Sequence, residues 1–309
     1  MKIAIVFPGQ GSQKQGMMQG FADSAIVRDT FSEASAVLGQ DLWELVETGV
    51  PETLNATVNT QPVMLVSAYS MYRAWQTSGG PPAALLAGHS LGEYTALVAA
   101  GALRFSDAVP LVRFRAQAMQ EAVPIGTGGM AVIMGLDADA VRAACAEAAQ
   151  GEVVEAVNFN DQTQIVIAGQ KSAVERACIV AKARGAKRAL PLPVSAPFHS
   201  SLLKPAAQHL RQRLQGLAIA VPTVPVIHNV DVAMHADPAA IREALALQAA
   251  NPVRWVETIQ AMQAAGVTHV VEIGPGKVLH GLAKRIAPEL VALAVNDAES
   301  LTASLEAVA

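Results

Sequence analysis

The sequence predicts an α/β protein with a large domain built on a central, mostly parallel sheet and a small inserted ferredoxin-like subdomain. Three observations predict this fold. Short β-rich runs alternate with longer helical patterns toward both ends of the chain. The middle of the chain changes to the order β-α-β-β-α-β. With 309 residues, of which 52% are hydrophobic, the chain is long enough to bury a core in each unit.

Residues 1–125 supply the first elements of the large domain. The predicted elements are strands Lys2–Phe7 and Ala84–Gly88, helices Pro62–Thr77 and Leu91–Ala100, and a helix that Ser106 caps and that runs toward Glu121. Pro110 is tolerated near the first turn of that last helix. Pro124 and the glycines that follow it end the helix.

Residues 126–194 form the predicted ferredoxin-like subdomain. Its elements are strand Met130–Met134, helix Ala138–Ala149, strands Val153–Asn158 and Gln164–Ala168, helix Ser172–Arg184 and strand Arg188–Pro193. Its two helices carry Cys145 and Cys178, neither of which has the close Cys or His neighbours of a metal site. Both cysteines are expected to be packing residues in a reducing cytosol, and no metal is expected.

Residues 195–309 return to the first pattern. The predicted elements are strand Val224–His228, helices Pro238–Gln248 and Val253–Ala265, strand His269–Ile273, helix Lys277–Ile286 and a last strand near Leu290–Val295. Because a buried parallel sheet needs strands from both segments, 1–125 and 195–309 are expected to form one discontinuous domain.

Charge and hydropathy limit the partners of the chain. The formal net charge is −4 and no block of basic residues occurs, so nucleic acid is a poor partner. No apolar run approaches the roughly 18 to 20 residues that span a bilayer. The opening apolar stretch lacks the regions of a secretion signal. We therefore expect a cytoplasmic protein without membrane contact, and we expect it to be a monomer.

A nucleophilic serine is predicted at Ser90. Gly88-His89-Ser90-Leu91-Gly92 follows a predicted buried strand and precedes a predicted helix, which is typical of the nucleophile elbow of α/β-hydrolase-like domains. Glycines on both sides allow the tight turn. The main-chain N–H of Leu91 would then point at a developing oxyanion. The alternative is a serine that only caps the helix.

A serine hydroxyl needs a base, usually a histidine. Among the seven histidines, His199 stands out because it lies in Ala196-Pro197-Phe198-His199, a proline-stiffened loop that returns to the large domain. His209, His228, His269 and His280 fall within predicted helices and strands, where structural or solvated roles are expected.

Five segments, taken in order, carry a resemblance to a known family. They are Phe7-Pro8-Gly9-Gln10-Gly11-Ser12-Gln13, Gly88-His89-Ser90-Leu91-Gly92-Glu93-Tyr94, Arg113-Phe114-Arg115, Ala196-Pro197-Phe198-His199 and Asn251-Pro252-Val253-Arg254-Trp255. Over essentially its whole length, the chain resembles the malonyl-CoA:acyl carrier protein transacylases and the acyltransferase domains of fatty acid and polyketide synthases.

The resemblance implies a role for several residues. It implies that Ser90 is acylated, that His199 is its base, that the main-chain carbonyl of Gln248 holds the histidine, that the N–H groups of Gln10 and Leu91 form the oxyanion hole, and that Arg115 binds the malonyl carboxylate. It also implies malonyl-CoA as substrate, acyl carrier protein as partner and no permanently bound cofactor. In the related synthase domains, a phenylalanine at Phe198 and a branched residue at Leu91 go with malonyl rather than methylmalonyl.

The chemistry of Arg115 supports its implied role. A guanidinium is a planar, permanently charged fork that matches a carboxylate bidentately. The alternative is an arginine whose stem packs in the helix and whose head reaches water.

A basic cluster near the end of the inserted unit is a candidate docking site for an acidic carrier protein. Lys187 and Arg188 are its main members, with Lys182 and Arg184 nearby. A solvated surface explains the same residues.

Other function classes remain open at this point. A serine hydrolase or thioesterase of the α/β-hydrolase type shares G-x-S-x-G, but more than a hundred residues follow His199 and no H-G-G-G oxyanion loop is present. A nucleotide-binding module would depend on Gly274-Pro275-Gly276-Lys277, which lacks the following serine or threonine. A non-catalytic scaffold would leave Ser90 inert.

Overall fold

Two sheets organise the protein in a computed structural model that describes residues 1–194 and 196–309. The strands are β1 (Ile3–Phe7), β2 (Leu85–Gly88), β3 (Gly128–Met134), β4 (Val154–Asp161), β5 (Gln164–Gln170), β6 (Arg188–Pro191), β7 (Val226–Ile227), β8 (His269–Ile273) and β9 (Val291–Val295). The larger sheet has the order β7-β2-β1-β8-β9, and every pairing in it is parallel.

Helices cover both sheets. They are α1 (Ala25–Leu38), α2 (Leu42–Glu47), α3 (Pro51–Asn55), α4 (Thr57–Thr77), α5 (Gly92–Ala99), α6 (Phe105–Glu121), α7 (Ala138–Ala149), α8 (Lys171–Ala183), α9 (Lys204–Gln215), α10 (Pro238–Gln248), α11 (Trp255–Ala264), α12 (Val278–Ile286) and α13 (Ala298–Ala307). Two short 3₁₀ turns occur at Gln19–Phe21 and Ser201–Leu203.

The core of the large sheet lies on both of its faces. All five residues of the central strand β1 are buried. Ile5 packs into the apolar cluster on one face, while Val6 belongs to the cluster on the other, which includes Trp255 of α11. Burial on both faces is typical of a parallel sheet between helices, and the carboxyl ends of its strands meet at one edge, where ligands usually bind.

The smaller sheet confirms the predicted ferredoxin-like order. Its strands lie in the order β4-β5-β3-β6, all antiparallel, and α7 and α8 pack on one face. Cys145 and Cys178 are buried there among apolar side chains, and burial raises the pKa of both thiols, that of Cys145 to about 12. The α/β class with one parallel and one antiparallel sheet is thus confirmed.

Strand β4 of the small sheet contacts α12 and the segment before α11, which pack on the large sheet. Phe159 of β4 donates its main-chain N–H to the Val253 carbonyl over 3.0 Å, and Val253 donates back to Val157 over 2.8 Å. An ion pair of 2.7 Å links Arg285 of α12 to the buried Asp161. These contacts hold β4 of the small sheet against the α11 and α12 side of the large sheet.

Some sequence-based expectations differ from the structure. Ser106 does not cap α6, because the helix begins at Phe105 and the Arg104 carbonyl accepts the N–H groups of Asp107 and Ala108. Helix α4 begins at Thr57, before the predicted start at Pro62. No elements were predicted for α1, α2, α3 and α13. The domain limits at 125/126 and 194/195 stay a prediction, and Ser195 lies outside the described residues.

Candidate active site

The sharp turn between β2 and α5 carries Ser90 at the carboxyl edge of the large sheet. Ser90 has a φ of 52°, in the left-handed region that side-chain-bearing residues rarely adopt. A Cβ at Gly88 would lie 1.8 Å from the carbonyl carbon of Gly92, and one at Gly92 would lie 2.1 Å from the Phe7 oxygen. Both glycines are therefore required for the turn, as the elbow prediction expected.

The structure brings His199 to Ser90 from the loop after the small sheet. Ser90 Oγ and His199 Nε2 lie 2.7 Å apart. The other ring nitrogen, Nδ1, lies 2.9 Å from the main-chain carbonyl oxygen of Gln248, which can only accept a hydrogen bond. The proton of the neutral ring therefore sits on Nδ1, and Nε2 offers its lone pair to the hydroxyl.

The environment keeps this imidazole neutral. Burial lowers the pKa of His199, the positive charge of Arg115 lowers it further, and the result is about 3. The histidine also has a φ of 67°, so the loop holds it in a left-handed conformation. An imidazole held neutral beside a hydroxyl can accept its proton.

Arg115 of α6 provides a buried positive charge beside the serine. Its side chain is almost fully buried, and Nη2 donates to Ser90 Oγ over 3.1 Å and to Gln248 Oε1 over 2.9 Å. Nη1 donates to Gln61 Oε1 over 2.8 Å. The alternative, an arginine whose head reaches water, is wrong, because neutral amide and hydroxyl acceptors hold the guanidinium inside. Burial lowers the pKa of Arg115, but a guanidinium remains charged in proteins.

The N–H groups of Gln10 and Leu91 are free to hold an oxyanion. Neither N–H has a hydrogen-bond partner within residues 1–194 and 196–309. Both residues line the pocket beside Ser90, and the Gln10 side chain is fixed by a 2.9 Å hydrogen bond from Thr57 at the start of α4. Two unpaired donors next to a nucleophile can stabilise a tetrahedral intermediate.

These groups open into a pocket of about 540 Å³ between the two sheets. The lining from the small sheet and the chain that follows it includes Met130, Asn158, Leu192, Pro193 and Val194, and the lining from the large domain includes His89, Met119, Phe198 and the residues described above. His89 also bonds Asn160 across the boundary over 2.9 Å, and burial lowers its pKa. The pocket is of a size that holds a small acyl group and part of a longer carrier arm.

Other predicted candidates lie elsewhere. Lys187 and Arg188 are exposed at the edge strand β6 and do not line the pocket, although Leu192 just beyond them does. The loop Gly274–Gly276 packs against the loop that carries Gln10, since a Cβ at Gly276 would lie 2.9 Å from Cβ of Ser12. Among the described residues, no cluster of three or more His, Cys, Asp or Glu side chains could hold a metal, and no helix is long and apolar enough to cross a membrane.

Sequence reasoning missed several residues around the serine. Asn229 Oδ1 accepts the main-chain N–H of Ser90 over 2.7 Å, and Glu93 binds His228 below it over 2.7 Å. Burial lowers the pKa of His228, but the hydrogen bond and charge of Glu93 outweigh burial, and the pKa is raised. Asn229 is the second residue after β7, so the carboxyl-edge rule was a usable signal. Gln61 lies inside α4, and no pattern in the sequence indicated that its side chain would contact Arg115.

Comparisons with known proteins agree with this geometry. The family model described as acyl transferase domain matches residues 4–301. The malonyl CoA-acyl carrier protein transacylases of Salmonella typhimurium and Escherichia coli K12 are each 54% identical to this chain, and the alignments cover 98% and 99% of it and 99% of each relative.

Two solved structures are also similar to this chain over nearly its whole length. The acyl-carrier-protein S-malonyltransferase of Burkholderia pseudomallei is 62% identical, with a TM-score of 0.98 over 99% of this chain and all of that chain. A malonyl-transacylase solved in complex with its type II polyketide synthase acyl carrier protein is 52% identical, with a TM-score of 0.98 over 99% of this chain and 100% of that chain.

Proposed function

This chain belongs to the acyl transferase domain family, and we propose that it is a malonyl-CoA:acyl carrier protein transacylase acting in fatty acid or polyketide synthesis. One observation carries the proposal. The Ser90 hydroxyl lies 2.7 Å from a neutral imidazole and 3.1 Å from a buried guanidinium, so one atom has both a base and a carboxylate-binding group beside it. A hydrolase of neutral esters has no need of that buried charge.

In the first half-reaction, Ser90 Oγ attacks the thioester carbon of malonyl-CoA while His199 Nε2 takes the hydroxyl proton. The negative charge of the tetrahedral intermediate is held by the N–H groups of Gln10 and Leu91. The C–S bond then breaks, and the CoA sulfur takes the proton from His199. The products are free CoA and a malonyl ester on Ser90.

The second half-reaction reverses these steps with another thiol. The phosphopantetheine thiol of acyl carrier protein gives its proton to His199 and attacks the ester carbon. The C–O bond breaks, Ser90 Oγ recovers the proton, and malonyl leaves on the carrier protein. The carbonyl of Gln248 keeps Nδ1 protonated throughout, so a dyad with a main-chain orienter replaces the usual third carboxylate.

Arg115 and Phe198 would select the acyl group. A malonyl ester on Ser90 places its free carboxylate within reach of the guanidinium, which is 3.1 Å from Oγ before acylation. Phe198 is half-buried and lines the same pocket as Leu91, so a branch at the α-carbon would meet its ring. Malonyl is therefore preferred over acetyl, which lacks the charge, and over methylmalonyl.

The remaining proposals concern partners and location. The chemistry above uses no metal and no permanently bound cofactor. Lys187 and Arg188 are proposed to contact the acidic carrier protein, because both are exposed beside the chain segment that leads to the pocket. We propose that the protein is cytoplasmic and monomeric, with no nucleic-acid or membrane partner.

Intact mass spectrometry tests the proposed function. After brief mixing with malonyl-CoA, the protein should gain the mass of one malonyl group, peptide mapping should place it on Ser90, and holo acyl carrier protein should remove it. A Ser90→Ala variant is the control and should gain nothing. An acyl group on another residue, or release of malonate faster than transfer to the carrier thiol, would contradict the proposal.

A further inference from the structure

A single buried carboxylate lies beneath the elbow. Glu93, three residues after Ser90 in the first turn of α5, has no exposed surface and accepts hydrogen bonds from two other segments of the chain. Oε1 lies 2.7 Å from His228 Nδ1, while Oε2 accepts the main-chain N–H of Asn229 over 3.0 Å and the side-chain amide of Gln248 over 2.8 Å. A buried carboxylate is costly unless its oxygens are bonded, so these partners are held firmly.

The hydrogen bond from the Asn229 main chain connects Glu93 to the nucleophile. Glu93 fixes the main chain of Asn229, whose side-chain amide then spans the elbow. Oδ1 accepts the N–H of Ser90 over 2.7 Å, and Nδ2 donates to the carbonyl of Gly88 over 2.7 Å. The amide therefore satisfies two main-chain groups on either side of the strained left-handed turn and holds Ser90 in it.

The hydrogen bond from the Gln248 side chain connects Glu93 to Arg115. Gln248 Nε2 donates to Glu93 Oε2 and to the Ser90 carbonyl, each over 2.8 Å, while Gln248 Oε1 accepts from Arg115 over 2.9 Å. Both neighbours of the amide nitrogen are acceptors and the neighbour of the oxygen is a donor, so only one orientation of the amide satisfies all three. Glu93 thereby turns the Gln248 oxygen toward the guanidinium.

We propose that Glu93 is a positioning residue for the acyl transfer, which aligns the nucleophile through Asn229 and the carboxylate-binding arginine through Gln248. Glu93 does not touch the pocket, so it acts only through these residues. This inference rests on the proposed function, because it assigns a role within that same reaction. The orientation of a neutral amide by a buried anion links the two groups that must meet the substrate.

The test compares two replacements of Glu93 with different hydrogen-bonding ability. Glu93→Met removes both carboxylate oxygens at similar volume. Glu93→Gln can keep the oxygen that binds Asn229 and Gln248 and turn its NH₂ toward His228, whose other tautomer accepts it. Stopped-flow or quench-flow with malonyl-CoA measures both the rate constant and the amplitude of Ser90 acylation, and Glu121→Met, an exposed carboxylate at the end of α6, is the matched control.

Glu93→Met should acylate about 100-fold more slowly at full amplitude, because a small misplacement of reacting groups costs about that much. Glu93→Gln should stay within about tenfold of the unaltered protein, since the acceptor is retained. A residue that served only stability would lower the amplitude with the folded fraction and leave the rate constant unchanged. That result, or Glu93→Gln as slow as Glu93→Met, would overturn the inference.

Two further variants keep the inference testable if Glu93→Met does not fold. Gln248→Met retains the main-chain carbonyl that holds His199 but frees the guanidinium, so malonyl transfer should fall more than acetyl transfer. Asn229→Leu acts on the serine alone, so both acyl groups should slow equally. If both variants acylate within about threefold of the unaltered protein, the inference fails. If the unaltered protein is not malonylated on Ser90, the proposed function itself fails.

Discussion

Nη2 of Arg115 lies 3.1 Å from Oγ of Ser90, although 25 positions separate the two residues in the chain. The guanidinium and the hydroxyl therefore face one small region of the pocket, where an acyl group on the serine must lie. A charge at that point distinguishes acyl groups that end in a carboxylate from those that do not.

Arg115→Ala should reduce malonyl transfer by roughly 1,000-fold while acetyl transfer changes little, because removing one partner of a buried charge pair costs several kcal/mol in affinity for the other. Steady-state kinetics with malonyl-CoA and acetyl-CoA measures the ratio. Arg113→Ala, two positions earlier on the same helix and bonded to Gln40, is the matched control. Equal losses for both acyl groups would refute the assigned role of Arg115.

The pH dependence of acetyl transfer should show how far the charge of Arg115 lowers the pKa of His199. Acylation stops when the imidazole is protonated, so kcat/KM falls as pH drops through the pKa of His199, which burial and Arg115 lower to about 3. With acetyl-CoA, the unaltered protein should show a flat kcat/KM profile down to the pH at which it unfolds.

In Arg115→Ala the pKa of His199 should rise, because the nearby positive charge that lowers it is removed, while burial still holds it below the ordinary value of 6.5. The acid limb of kcat/KM should therefore move to higher pH and become visible in stable protein. An acid limb at the same or lower pH would show that Arg115 does not act on the imidazole.

Phe198→Ala should widen the acyl specificity. Phe198 lines the pocket and packs against apolar residues of both units, so its removal leaves space beside the α-carbon of the acyl group. The ratio of methylmalonyl to malonyl kcat/KM should rise by about tenfold or more, the usual effect of one methyl group in an apolar pocket. Phe114→Ala is the control, because it removes a phenyl ring that does not line the pocket. It should leave the ratio unchanged. An unchanged ratio in Phe198→Ala would place the specificity elsewhere.

Charge reversal at the edge strand β6 tests the docking proposal. The pair of changes Lys187→Glu and Arg188→Glu should raise KM for acyl carrier protein by about tenfold at low salt, because rim charges mainly govern association. Malonylation of Ser90 by malonyl-CoA should not change. Lys204→Glu, an exposed reversal at the start of α9, is the control for net charge. An unchanged KM for the carrier protein would show that the docking surface does not include Lys187 and Arg188.

Local sequence signals predicted the elbow and the small sheet well. Gly88 and Gly92 are needed because the chain approaches itself closely there, and such a need is visible as glycine spacing. The position of His199 was predicted from its proline-stiffened loop. The prediction that Ser106 caps α6 was wrong. The residue before the helix is Arg104, whose side chain donates to Asp107 and not to Ser106.

The supporting network could not be predicted in the same way. Glu93 meets His228 and Gln248 across 135 and 155 positions of sequence, and no periodicity records such a pairing. A glutamate on an apolar helix and a glutamine at a helix end are each compatible with a solvated position. Only the fold shows that the polar groups are buried together and must satisfy one another.

Glu272 at the end of β8 should make stability fall as pH rises. The carboxyl is fully buried, its Oε1 has no hydrogen-bond partner among the described residues, and burial raises its pKa from 4.5 to about 7. Between these two values the folded protein binds more protons than the unfolded chain, so the free energy of unfolding decreases with increasing pH. Above pH 7 the loss contributed by this group reaches up to about 3 kcal/mol.

Glu272→Gln removes that titration, while its amide oxygen can still accept the N–H of His280 as Oε2 of Glu272 does over 2.7 Å. Urea unfolding at several pH values from 5 to 8 should show the variant gaining stability over the unaltered protein as pH rises, with the full difference present above pH 7. The difference between the two proteins cancels other titrating groups, including His228. Glu306→Gln, at an exposed carboxylate near the end of α13, should show no such trend. A constant difference across this range would mean that Glu272 is ionised in the folded protein at pH 5, and that its contacts with the first turn of α12 outweigh burial.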